Sequence, residues 1–343
     1  MKTIENLPRI AFGTWSIGGG DSWGKNDENE SINALSAAID LGFTYFDTAP
    51  AYGNGLSETL LGKVIKGRRD KVFVATKCGL EWGESGSMLH KERDGVKVWR
   101  NLKRDAIKRQ VEASLKRLDT DYVDVLLTHW QCPVDPLEET IRAMENLKRE
   151  GKIRSWGSCN NTPESLSGYF ENGMKPILFQ ERWSLLERKN DYILKIAEER
   201  GVMFQAYSSM ERGLLTGKVK PTDEVNGSAK KCDKWFRKEN IERVNEALQP
   251  LVPLCEKNNV PMHVLLSSYA LSLSPSFSLV IGARRVEQVV DNRSVLSFSL
   301  SKEDKEEITR LCYAKFLEMR RFFRIALQCK DLHSAQMKFL RIL

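Results

Sequence analysis

The sequence predicts an α/β protein folded as a closed (β/α)8 TIM barrel, a single domain with long βα loops and an extra C-terminal helical tail. Two observations carry that expectation. Apolar strand-like runs alternate with helical patterns eight times within about 300 residues, as in a parallel sheet wrapped by helices. The first strand-to-helix turn, "GTWSIGGGDSWG", has glycines at 18, 19, 20 and 24, out of the G-x-G-x-x-G spacing expected of a doubly wound sheet.

The units follow one another in order. "IAFGTW" (10–15) reads as a strand and 29–41 as its helix; "FTYF" (43–46), aromatic and β-branched, is the second strand, with a helix over 57–66. "VFVAT" (72–76) precedes a helix over 104–118, in which Ile107, Val111, Leu115 and Leu118 form one apolar stripe. "YVDVLLT" (122–128) leads to a helix from Pro136 to 149, with Asp135 as its N-cap and proline at its first position. "IRSWGS" (153–158), "ILFQ" (177–180), "VMFQAY" (202–207) and "SLVIG" (278–282) complete the set, each with a helical pattern behind it. The connections 79–103 and 217–240 are long for plain barrel loops, and long ordered loops are usually functional.

Composition narrows the class. Of 343 residues, 41% are apolar and 29% charged, the balance of a soluble globular chain. The N-terminus has no basic segment followed by an apolar one, and no window holds eighteen consecutive apolar residues. Neither a secretory signal nor a membrane span is therefore expected. Cysteines at 78, 132, 159, 232, 255, 312 and 329 include no C-x-x-C pair, which argues for a reducing cytoplasm and against a zinc site. Of the net charge of +7, residues 315–343 contribute five, so the body is nearly neutral and nucleic-acid binding gains no support.

Catalytic groups of such barrels sit where strands end and βα loops begin. Asp47 and Tyr52 follow the second strand, Lys77 ends the third and His129 the fourth. A lone acid or histidine after a strand usually serves structure, but four polar groups at one rim suggest chemistry. Reducing a carbonyl needs a proton donor and charge stabilisation beside the developing alkoxide. Tyr52 is the candidate donor, Lys77 the ammonium expected to lower its pKa, Asp47 the carboxylate holding Lys77, and His129 the group orienting the substrate oxygen.

The motifs "FDTAPAYGNG", "VFVATKCG", "DYVDVLLTHW", "GKIRSWGSCN", "FQERWSLLER", "RGLLTGK" and "VIGARRVEQVVDN" closely resemble the aldo-keto reductase family, in particular bacterial barrel reductases with a long "RGLLTGK" loop. The likeness covers about residues 7 to 310 and supports the same catalytic assignment. It implies a nicotinamide dinucleotide held without a Rossmann turn. Asn160 and Gln180 would bond the carboxamide, with Trp15 and Ser158 also at the site. Trp183 stands where most relatives stack a tyrosine on the nicotinamide, and Cys159 where they have serine. Ser208, Arg212, Gly213, Leu214 and Lys218 would form the pyrophosphate loop. Gly282, Arg284, Gln288 and Asn292 would meet the adenosine end, Arg284 favouring NADP(H), with Arg285 on another face.

The implied function is NADP(H)-dependent reduction of a small aldehyde, ketone or sugar. Alternatives are a slow, cofactor-sensing protein, like the β subunits of potassium channels, and sugar or alcohol oxidation in the reverse direction. Trp15, Trp23, Trp82 and Trp130 are expected to wall the substrate pocket, with Trp99 and Arg100 near its mouth. The barrel is assigned to 1–310 and a basic amphipathic helical extension to 311–343, where Phe316, Met319, Phe323 and Leu327 share helical spacing. Monomer and homo-oligomer remain equal alternatives.

Overall fold

Each predicted apolar run becomes a strand. In the computed structural model, which describes residues 3–83, 85–93 and 96–326, the strands are β1 (Ile10–Gly13), β2 (Tyr45–Asp47), β3 (Phe73–Cys78), β4 (Leu80–Trp82), β5 (Met88–Arg93), β6 (Val96–Arg100), β7 (Val123–Thr128), β8 (Ile153–Cys159), β9 (Leu178–Arg182), β10 (Met203–Tyr207) and β11 (Phe277–Gly282). Eight of them close into a barrel in the order β1-β11-β10-β9-β8-β7-β3-β2, all pairs parallel. Helices surround it, which makes the fold a (β/α)8 TIM barrel.

Alternation along the strands sorts residues to two sides of the barrel wall. Phe46, Val74, Leu126, Phe179 and Phe204 point outward into the core shared with the helices. Ala11, Tyr45, Ala75, Val125, Leu127 and Leu178 form a separate apolar cluster inside. The next inward positions along β2, β3 and β9 are Asp47, Lys77 and Gln180, all buried.

Local signals set the helix bounds. Asp27 caps Glu28–Asp40 by accepting from the Glu30 N–H at 3.0 Å, and a Thr162–Ser165 capping box opens Pro163–Glu171. The stripe predicted over 104–118 is the helix Arg104–Leu118, with Ile107, Val111 and Leu118 buried. One cap is corrected. The helix begins at Leu137 with Pro136 as N-cap, because the Asp135 carboxylate is taken by the Leu102 N–H at 2.7 Å.

Neither long connection is a plain loop. Residues 79–103 hold β4, β5 and β6, a three-stranded antiparallel sheet in the order β4-β6-β5. The stretch after residue 217 contains short helical pieces at Ser228–Lys231 and Lys234–Phe236, then the helix Lys238–Leu248. Near the C-terminus one helix, Lys302–Ala326, runs through residue 310, so the assigned boundary at 310/311 lies within it. Ile308, Cys312 and Phe316 are buried and Met319 packs beside them. The rest of the expected tail, 327–343 with Leu327, lies outside the described residues. Among these, no helix is long and apolar enough to cross a membrane.

Candidate active site

Strand ends bring the four predicted groups together at the rim. The Lys77 ammonium, fully buried, donates to Asp47 Oδ1 at 2.7 Å, to the Thr48 carbonyl at 2.9 Å and to the Tyr52 hydroxyl at 3.0 Å. Asp47 is held from the other side by Gln180 Nε2 at 2.7 Å. Gln180 also donates to Gln205, which donates to Ser278, so the polar layer continues across β9, β10 and β11. His129 meets the Tyr52 ring edge-on, with centroids 6.0 Å apart.

The small residues around Tyr52 have a steric reason. The Tyr52–Gly53 backbone lies directly against the turn at Gly18: a Cβ on Gly18 would come within 2.5 Å of the Tyr52 carbonyl carbon. Gly53 has φ +63°, and a Cβ there would collide with the Gly18 oxygen. A hydroxyl network of Thr14, Thr48 and Ser57 fastens the same loop from behind.

Electrostatics correct one expectation. Burial pushes the Tyr52 phenol up to about 12, and the Lys77 ammonium offsets this only in part. Its net pKa is therefore raised, not lowered, and the phenol is an intact acid at neutral pH. Burial disfavours the Lys77 charge, yet Asp47 and Tyr52 raise its pKa overall. Burial, then Lys77, His90 and Lys91, hold His129 well below the ordinary histidine value, so its imidazole is neutral.

Of the residues assigned to the nicotinamide, Asn160 stands at the rim in a left-handed conformation, φ 54°. Its amide donates to the His129 carbonyl at 2.8 Å and its Oδ1 accepts from the Tyr207 hydroxyl at 2.7 Å. Ser158 is buried and donates to Asn161 at 2.8 Å, supporting that turn from behind. The buried Cys159 thiol reaches Gln180 Oε1 only at 3.5 Å. Trp183 is corrected: 1% exposed, it packs edge-on against Phe277 and donates to Asp191, leaving no free ring face for a ligand. Tyr207, at the end of β10, is the rim aromatic that the sequence reading missed; its strand-end place was the available signal.

The predicted phosphate loop is locally unusual. Ser208, Arg212 and Gly213 all have positive φ, at 55°, 53° and 99°. A Cβ on Gly213 would meet nothing, and Leu214 is buried beneath. The Arg212 guanidinium binds Glu211 at 2.9 Å and Asp233, while its buried Nε has no partner. Lys218 lies apart, 68% exposed and 3.3 Å from Asp291. Arg284 donates to the Trp23 carbonyl at 3.2 Å, Gln288 Oε1 accepts from the Arg284 N–H, and Asn292 donates to the Gly282 carbonyl. Arg285 turns away to Glu30 at 3.4 Å.

A further cation, missed in the sequence, joins this region. Lys230 sits 5.7 Å from the Trp23 ring and 5.6 Å from that of Phe236. No carboxylate pairs with it among the described residues; burial, then Arg284 and Arg212, lower its pKa. Lys230 and Arg284, neither paired with a carboxylate among the described residues, stand beside an orphaned buried Arg212 Nε and Trp23 Nε1, and this arrangement fits the phosphates of a dinucleotide.

Trp15 lies between Trp23 and Tyr52, at 5.4 and 6.3 Å, and Trp130 beside His90 at 4.9 Å. Trp82 is 38% exposed and lines a separate cavity of about 450 Å³ with Pro50, Gln110 and Arg117, which contains none of the four catalytic candidates. Trp99 donates to the Gly83 carbonyl at 3.0 Å within the inserted sheet.

The family model described as "Aldo/keto reductase family" matches residues 9–312. Over 308 residues the chain is 36% identical to the NADH-specific methylglyoxal reductase of Escherichia coli (strain K12), covering 88% of this chain and 94% of that protein. The glycerol dehydrogenase AKR11B4 from Gluconobacter oxydans superposes with a TM-score of 0.79 at 32% identity, covering 90% of this chain and 92% of that one. An aldo/keto reductase from Klebsiella pneumoniae in complex with NADP and acetate gives a TM-score of 0.67 at 26% identity, covering 89% and 91%.

Proposed function

The chain belongs to the aldo/keto reductase family, and from that premise we propose that it reduces the carbonyl of an aldehyde, ketone or sugar to an alcohol with NADP(H). The observation that carries the proposal is the single buried ammonium of Lys77 bonded at once to Asp47, at 2.7 Å, and to the Tyr52 hydroxyl, at 3.0 Å. When bound, the nicotinamide supplies the hydride.

The chain's own groups do the rest. Tyr52 gives its phenolic proton to the carbonyl oxygen as that oxygen gains negative charge. The phenolate left behind is stabilised by the ammonium of Lys77, whose charge Asp47 keeps fixed in the buried layer. His129, neutral, donates one ring N–H to the same oxygen and orients it. Asn160 and Gln180 offer side-chain amides to the carboxamide, and Tyr207 offers the ring face that Trp183 does not.

Two features support NADP(H). Arg284 stands one residue before Arg285, the N-cap of the helix Val286–Arg293, and Lys230 adds an ammonium without a carboxylate partner among the described residues. One relative is named NADH-specific and one solved structure holds NADP, so the preference needs measurement. The six described cysteines are all free, which supports a cytoplasmic setting.

The test is a titration of tryptophan fluorescence with NADPH and NADH, followed by a carbonyl panel. Tighter NADPH binding and one alcohol formed per dinucleotide oxidised are expected. Tighter NADH binding would overturn the cofactor assignment, and binding without turnover of any carbonyl would overturn the activity.

A further inference from the structure

Asp47 sets the direction of a buried hydrogen-bond chain. Its carboxylate, paired with the Lys77 ammonium at 2.7 Å, can only accept. The Gln180 atom 2.7 Å from Asp47 Oδ2 is therefore the amide nitrogen, and the same nitrogen lies 2.8 Å from Gln205 Oε1. An amide nitrogen carries two protons, so both are committed. Gln205 must turn its oxygen to Gln180, and its own nitrogen then donates to Ser278 Oγ at 3.1 Å. Gln180, Gln205 and Ser278 are all buried, on the neighbouring strands β9, β10 and β11.

What Gln180 has left is its side-chain oxygen, whose one donor among the described residues is the Cys159 thiol at 3.5 Å, a weak one. Asn160, whose backbone N–H bonds the Gln180 backbone carbonyl at 3.1 Å, shows the same pattern. Its amide nitrogen is committed to the His129 carbonyl at 2.8 Å and to the Cys159 sulfur at 3.1 Å, and its oxygen accepts from Tyr207 at 2.7 Å. Each of the two oxygens keeps a lone pair. The amides assigned to the nicotinamide substituent thus offer acceptors and no free N–H.

Resting on the dinucleotide reading of this rim, we propose that Gln205 is a positioning residue for that cofactor. By accepting the second Gln180 proton it fixes the plane of the amide, which a bond to Asp47 alone leaves free to turn. Gln180 and Asn160 then recognise a pyridine ring through N–H donors on its substituent, as in a carboxamide, and reject a substituent that carries only a carbonyl. Acceptors left unpaired in a buried site make that rejection larger than shape alone does.

The test pair is NADP+ and its acetylpyridine analogue, in which a methyl replaces the amide nitrogen, with NAD+ and its own analogue beside them. Affinities come from tryptophan-fluorescence titration, which needs no turnover. The wild-type protein is expected to bind the carboxamide form about tenfold more tightly or better. Gln205→Met fills a similar space without an acceptor for Gln180, and its ratio is expected to fall to within about twofold of unity. Gln205→Glu accepts from Gln180 in either protonation state and is expected to restore the ratio. Where Gln205→Met does not fold, Ser278→Ala decides: it releases the far end of Gln205 and is expected to lower the ratio about threefold. Phospho-ADP-ribose, which lacks the pyridine, is expected to bind every variant as it binds the wild type. An unchanged ratio in the deciding variant overturns the proposal, as does an equal loss of affinity for all these ligands, which marks Gln205 as structural only. Failure of the wild-type protein to bind any of the dinucleotides overturns the dinucleotide reading itself, and this assignment with it.

Discussion

On β2, β3 and β9 the inward residues Tyr45, Ala75 and Leu178 belong to an apolar layer, and two positions further on the inward residues are Asp47, Lys77 and Gln180. The same strands thus build two unlike floors. The lower one is filled by apolar side chains and the Tyr45 ring, whose buried hydroxyl has no partner, and its contribution is burial of apolar surface. The upper one places a carboxylate, an ammonium and two amides in a buried layer, where each must be paired or become costly. The pairing is nearly complete: Lys77 makes three hydrogen bonds and Asp47 accepts from both Lys77 and Gln180. The difference teaches where stability and chemistry reside. Close packing below fixes the strand ends, and that rigidity lets the groups above keep hydrogen-bond distances without solvent.

Substitutions should separate the floors. Lys77→Met is expected to have the largest effect, because it strands the buried Asp47 carboxylate as well as removing the ammonium beside Tyr52. Unfolding stability should drop by about 3–5 kcal/mol, and reduction by about a hundredfold or more, measured by denaturant melts and steady-state rates. A variant as stable and active as the wild type would erase the distinction between the layers. Leu178→Ala, on the lower floor, should cost about 2–5 kcal/mol of stability through lost burial and a cavity. Its kcat below the melting range should stay close to that of the parent; a large loss of kcat would mean that the lower floor does more than support. The smallest effect concerns pH. A phenol raised to about 12 and an imidazole held well below its ordinary value do not titrate near neutrality. Reduction rates should vary little between about pH 6 and 9, whereas a break near 7 would contradict the neutral state of His129.

The lower floor and most of the wall were legible because period-two alternation and apolar runs are local properties. The helix predicted over 104–118 lies at Arg104–Leu118 for the same reason. Asp47, Lys77 and His129 were legible as polar groups ending apolar runs, and Tyr52 by its place among small residues. What sequence spacing does not carry is which side of the wall a side chain faces. Trp183, one residue beyond β9, faces the helices and packs on Phe277, whereas Tyr207, at the end of β10, meets Asn160. Neither does it carry burial. Proximity to Lys77 was foreseen for Tyr52, but removal from water outweighs it and reverses the sign of the shift. Lys230 comes from an inserted segment, where only tertiary packing brings it to the rim.

The central claim is that Tyr52 is the proton donor of the upper layer, and the Tyr52→Phe variant tests it most directly. Removing one hydroxyl leaves the ring against His129 and Trp15, so NADPH should quench tryptophan fluorescence with an affinity near that of the parent. Single-turnover carbonyl reduction should fall by about a hundredfold or more. Reduction at the parental rate, with dinucleotide binding intact, would contradict the account.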